Sequence, residues 1–208
     1  MMFDGPLFLA FLAAATLLTL TPGVDTAMVL RFAAAEGARS AMAAGVGIVL
    51  GCLVWGAVVA AGLGAVLLAS PVAFLALKGA GAVYLCWLGA KLILRPRDKL
   101  AAPGAMGSTD VRTALRRGLV TNLLNPKVGV FYVTFLPQFI PAEANVAVTA
   151  FGLAAIHAGL GLIWFAVLIA ATVPVGRFLR RPRVIQTLDR LTGGVFIAFG
   201  VKLALTRA

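Results

Sequence analysis

Two short stretches set a proline between a hydrogen-bonding side chain and an ionisable one, inside otherwise apolar sequence: Thr21-Pro22-Gly23-Val24-Asp25 and Asn125-Pro126-Lys127. Proline lacks an N–H and clashes with the preceding turn. A helix therefore breaks there and restarts, with proline suited to the first helical position and Thr21 or Asn125 to the N-cap. Each restart exposes backbone N–H groups and a positive dipole end, a setting that receives a carboxylate. Asp25 and Lys127 stand beside the two restarts. An uncompensated charge in hydrocarbon costs ~2.5–3.5 kcal/mol on insertion scales, so both are expected to face a cavity or each other. The chemistry is that of holding a zwitterion. Asp25 takes an ammonium group or a coupling proton, and Lys127 with the helix ends takes a carboxylate. Thr21, Pro22, Gly23, Asp25, Asn125, Pro126 and Lys127 would then line one binding site. The plainer reading is an Asp25–Lys127 ion pair that locks one broken helix to the other.

His157 is the single histidine and sits beside Gly159 and Gly161 in an apolar run. Histidine titrates near physiological pH, so it is a candidate proton relay, or else a core residue satisfied by a neighbouring helix. Lys78 is expected about two turns inside the membrane as a further pocket candidate, whereas Lys91 and Lys202 fall near segment ends, where snorkelling accounts for them. Cys52 and Cys86 lie in apolar stretches without metal-ligand or CxxC spacing, so no metal site is indicated. HExxH, GxSxG and paired carboxylates on one helix are absent as well, and no enzyme chemistry or cofactor is expected.

The elements that must position these residues follow from composition. Of 208 residues 62% are hydrophobic and 12% charged, and the mean hydropathy is +1.03. That balance belongs to a chain solvated by lipid. Six apolar windows are each long enough to span: Pro6 to Leu30, Ala41 to Leu63, Val72 to Leu94, Gly118 to Ile140, Val146 to Val173 and Val184 to Leu205. The predicted fold is an all-α integral membrane protein of about six transmembrane helices.

The net charge of +11 is not a nucleic-acid footprint, because the basic residues sit in alternate loops without interleaved stacking aromatics. Arg31 and Arg39, then Arg95 to Arg117, then Arg177 to Arg183 form three basic turns, while the opposite turns hold little beyond Asp4 and Glu143. The positive-inside rule places the basic turns in the cytoplasm and both termini outside. The Ala-, Pro- and Gly-rich linker, residues 97–110, divides two similar halves, 1–96 and 111–208. Leu77-Lys78 followed by Gly89-Ala90-Lys91-Leu92 is echoed at identical spacing by Leu188-Asp189 and Gly200-Val201-Lys202-Leu203. Three helices per half is an odd number, so the second copy enters the membrane inverted, a device of transporters. Gly45, Gly47 and Gly51 form a small-residue face on the second helix, for close packing within the chain or, alternatively, in a homo-oligomer.

Leu20-Thr21-Pro22-Gly23-Val24-Asp25 resembles the first-helix motif of the LysE/RhtB superfamily of amino-acid exporters, which includes threonine, homoserine and homoserine-lactone exporters. The stretch from Leu77-Lys78 through Tyr84-Leu85 and Trp87-Leu88-Gly89 is similar to that family's third helix. Asn125-Pro126-Lys127 with Phe135-Leu136-Pro137-Gln138-Phe139 is similar to its fourth. Val24 departs from the pattern, which generally has a second proline there, so a shallower first break is expected. The resemblance implies proton-coupled export of a neutral or basic amino acid, threonine- or homoserine-like, across the bacterial inner membrane. The rival readings are a small-ion or metal-cation exporter using Asp25, a thiol-disulfide carrier using Cys52 and Cys86, and an assembly partner without cargo.

Overall fold

The computed structural model describes residues 5–69, 71–96, 110–141, 143–171 and 181–205. These are helical with no strand among them, as backbone in hydrocarbon requires. Helices α1 (Gly5–Leu20) and α2 (Val24–Ala35) meet at a break and are bent by 50°. Gly37, at φ +85°, makes the left-handed turn into α3 (Ala38–Ala69). A side chain there would add ~1–2 kcal/mol of strain. After α4 (Pro71–Leu94), Asp110 caps α5 (Val111–Leu123) by accepting the Thr113 N–H at 2.7 Å, and Thr113 holds its carboxyl below the usual range. A second break, bent by 55°, leads into α6 (Pro126–Val130). That helix widens into a π turn at Phe131–Phe135 and tightens into a 3-10 turn at Leu136–Phe139. Asn145 caps α7 (Val146–Ala170), and α8 (Pro182–Leu205) completes the described chain.

Ala38–Gly62 of α3 and the whole of α7 are each long and apolar enough to cross a membrane, and the two bent pairs bring the number to as many as four. Each window falls largely on described helix, but the first two end five and six residues short of Ala35 and Ala69, and the fourth span begins earlier than expected, at Val111. Its first half, with Arg112, Arg116 and Arg117, is polar on one face, which an apolar scan passes over. The linker expected at 97–110 lies outside the described residues apart from Asp110, and the side chains of Lys78 and Lys202 are likewise outside them.

Glycines decide how closely the helices approach. On α3, Gly47 meets the Leu115 carbonyl, Gly51 meets the Asn122 side chain and Gly45 meets Phe165, so this face packs within the chain. Gly118 of α5 presses on the Ala44 carbonyl. On the other seam, Gly89 of α4 packs on Gly193 and Ile197 of α8, and Gly200 of α8 packs on Ala82 and Cys86 of α4. These pairings make α3 parallel to α5 and antiparallel to α7, and α4 antiparallel to α8. Arg39 at the start of α3, Arg112 to Arg117 on α5 and the start of α8 therefore lie at one end of the bundle. The other half is filled by an aromatic cluster of Phe11, Phe131, Phe135, Phe139 and Phe199 with ring centroids 4.3–6.5 Å apart.

Candidate functional site

Pro22 has no N–H for the Leu18 carbonyl, the bond a regular helix would make from residue 22 to residue 18. Lys127, at the other break, fills that vacancy: its Nζ donates to Leu18 O at 3.2 Å and to Thr21 O at 3.0 Å. A cation there also suits the negative end of α1. Gly23 keeps the space open, since a Cβ on it would lie 3.2 Å from the Lys127 Nζ.

The second break forms as the sequence predicts, with the Asn125 side chain accepting the Lys127 N–H at 3.1 Å and Pro126 in the first turn of α6. The first break does not. Thr21 is not the N-cap and Pro22 does not begin α2: the helix starts at Val24, and extended Gly23 (φ −139°, ψ −164°) is its N-cap without a side-chain bond. The Thr21 hydroxyl is engaged elsewhere, donating to Leu17 O at 2.6 Å and meeting the Thr192 hydroxyl of α8, also at 2.6 Å. Extended Gly23 also explains why the bend nearly equals that of the second break without a second proline.

Asp25 opens α2. Its Oδ2 accepts from Asn122 Nδ2 at 2.9 Å, while its Oδ1 is buried without a hydrogen-bond partner. Asn125 lies alongside it as a second amide toward the carboxylate, although its Nδ2 makes no hydrogen bond of good geometry. Asn122 also reaches Cys52 Sγ at 3.5 Å. Asp25, Lys127, Gly23 and His157 share one small cavity of about 50 Å³, lined also by Thr19, Thr26 and Cys52 and by apolar side chains such as Val49 and Phe165. At ~10–15 Å³ per water it has room for a few waters. His157 Nδ1 lies 2.9 Å from the hydroxyl of Tyr132 in the π turn.

The structure thus joins Thr21, Gly23, Asp25, Asn125, Lys127 and His157 in one neighbourhood. Asn122, Tyr132 and Thr192 belong to it and were not singled out. Asn122 had a signal, a polar residue interrupting an apolar window, whereas Tyr132 and Thr192 had none. Cys52 and Cys86 are free thiols: Cys52 sits beside Asn122, and Cys86 packs against Gly200.

The LysE type translocator profile matches residues 16–207. The chain belongs to that family. Among the relatives of this LysE type translocator, an uncharacterized membrane protein of Bacillus subtilis is 28% identical over 206 residues, covering 95% of this chain and 98% of that protein. Leucine efflux proteins of an Enterobacter species and of Klebsiella pneumoniae are each 31% identical, with 95% of this chain and 94% of theirs covered. No solved structure matches it. Family and relatives make the chain a membrane transporter rather than an enzyme.

Proposed function

We propose that this LysE type translocator exports a neutral amino acid with an apolar side chain, leucine being the first to test, from the cytoplasm across the bacterial inner membrane. One observation carries the reading. Asp25 is buried with Oδ1 lacking a well-formed hydrogen bond, in a cavity that it shares with Lys127 and whose wall is mostly apolar, with Thr19, Thr26 and His157 among the exceptions. Buried polar atoms are nearly always satisfied, so an unpaired carboxylate oxygen in a membrane protein marks the place of a ligand donor or a proton. The substrate ammonium binds Asp25, the uncapped first turn of α2 takes the carboxylate, and Val49 and Phe165 bracket the side chain. Lys127 sets the geometry by capping α1 and adds positive charge to the same pocket. Between substrates, Asp25 carries the coupling proton and His157 is its relay.

The names of the relatives favour leucine over the threonine-like substrate that the superfamily resemblance implies. In this reading α4 and α8, each 24 residues, cross the bilayer as well, giving six spans in two inverted halves, 1–96 and 111–208. The two contacts of the α4–α8 seam support this. Both follow one offset of 111 residues, taking position 89 to 200, 82 to 193 and 86 to 197. The shared basic end supports a cytoplasmic position for the basic turns and external termini.

The test loads cells with leucine-containing dipeptides and follows free leucine in the medium. Expression of the chain should raise export, and Asp25→Asn should return it to background and abolish its pH dependence. Unchanged export and pH response in Asp25→Asn would remove this role for Asp25.

A further inference from the structure

A second and larger space, an open groove of about 360 Å³, runs along α5 beside Met28 of α2. Its walls are Met28 of α2 and Thr113, Arg116, Arg117, Val120 and Thr121 of α5. Met28 is one turn beyond Asp25 toward the basic end, and Thr121 adjoins Asn122. The Asn122–Asp25 hydrogen bond ties the same two helices together. It lies further along both helices from the basic end than the residues that line the larger cavity. Positive-inside retention explains why arginines lie at this end of the bundle. It does not explain why two guanidinium groups and two threonine hydroxyls share the wall of one cavity, in a volume suited to a small ligand. Arginine and hydroxyl donors together form a set for a carboxylate or another oxyanion.

We propose that this cavity is a loading site for the exported amino acid, where Arg116 and Arg117 hold the carboxylate while the ammonium group points at Asp25. The inference rests on the export reading above. The guanidinium groups repel an ammonium, so the zwitterion enters ammonium first. On arrival the ammonium replaces Asn122 at Asp25 Oδ2 and also meets Oδ1. The Asn122–Asp25 bond is thus exchanged for a bond to the substrate, and the way inward opens only when a substrate is there to open it. A lipid phosphate offers the same oxyanion chemistry, and the experiment separates the two sources.

Uptake of labelled leucine into inside-out membrane vesicles reads loading from the cytoplasmic face. The Arg116→Gln/Arg117→Gln variant should raise KM about fivefold, the effect of roughly 1 kcal/mol from half-exposed charge pairs, with little change in maximal rate. Added salt should raise the wild-type KM more than the variant's, because salt screens the exposed guanidinium groups far more than the buried Asp25 contact that the variant keeps. Arg116→Lys/Arg117→Lys should restore part of the loss, and Arg116 is exposed, so Arg116→Gln alone carries the test if the double variant does not reach the membrane. In proteoliposomes of phosphatidylcholine alone the KM shift should persist. An unchanged KM in a variant present at the wild-type level overturns the proposal. So does a shift that appears only when phosphatidylglycerol is added, which would assign the cavity to a lipid headgroup. If wild-type vesicles take up no amino acid, it is the export reading that fails.

Discussion

Lys127 holds two carbonyls that the break between α1 and α2 leaves exposed, and its removal should be felt in both folding and transport. Lys127→Met strands Leu18 O and Thr21 O in a buried setting, at about 1–3 kcal/mol for each unsatisfied group. Its thermal midpoint in detergent should fall and export should be lost, whereas Lys127→Arg should recover stability more than export, since the bulkier fork intrudes beside Gly23. Tyr132→Phe and His157→Gln both break the Tyr132–His157 hydrogen bond, yet they should differ. Tyr132→Phe should lower stability by ~1–3 kcal/mol and keep the pH profile of export, while His157→Gln should flatten that profile, and identical profiles would remove the relay. Asp25, Asn125 and Lys127 were legible because a charge or an amide beside proline is conspicuous in apolar sequence. The role of Lys127 as a cap on α1 was not, since that bond spans 109 positions. Nor was the idle capping capacity of Thr21, which is drawn off by Thr192, 171 positions away.

Among the helices, the seams fix which glycines tolerate a side chain. Gly118→Ala would drive a methyl into the Ala44 carbonyl, backbone against backbone. Overpacking of that kind costs ~1–3 kcal/mol, so the variant should melt earlier or accumulate poorly. Gly194→Ala on α8 meets nothing within 4 Å and should be neutral or stabilising by up to ~1 kcal/mol through helix propensity. Asp110 gives the start of α5 an acid-sensitive cap. Its carboxyl titrates below the ordinary value because Thr113 donates to it. The stability it contributes is therefore present above the unfolded carboxylate pKa and lost as pH falls through the folded one. Asp110→Asn keeps a capping oxygen but no charge, so protection of the first amides of α5 against hydrogen exchange should lose this acid dependence. Helix positions were readable from hydropathy, with ends off by as much as seven residues where polar or basic turns extend the helix beyond the apolar run. The π turn at Phe131–Phe135 was not, because no residue type there demands it. It forms where Tyr132 must reach His157 while Phe131 and Phe135 join the aromatic cluster.

For the whole molecule, the inner cavity is too small for an amino acid, while the outer one toward the basic end is several times larger. The aromatic cluster fills the opposite half. Loading must therefore widen the space between the two breaks, and export must part those rings. Phe139→Ala, which thins the cluster, should increase leakage of leucine down its gradient and weaken its dependence on the proton gradient. Counterflow in proteoliposomes measures both. A tag on either terminus should be reachable by protease from outside intact cells on the topology proposed, and protection of both would reverse it. Loop charges foreshadow that the arginines gather at one end of the bundle, whereas the depth of each cavity depends on side chains that meet only after folding. The α4–α8 seam makes one contact twice, Gly89 on Gly193 and Ile197, then Gly200 on Ala82 and Cys86. A seam of that kind needs only one sort of subunit. On the inverted-repeat reading proposed above, one three-helix unit inserted in both orientations would close it with a second copy of itself.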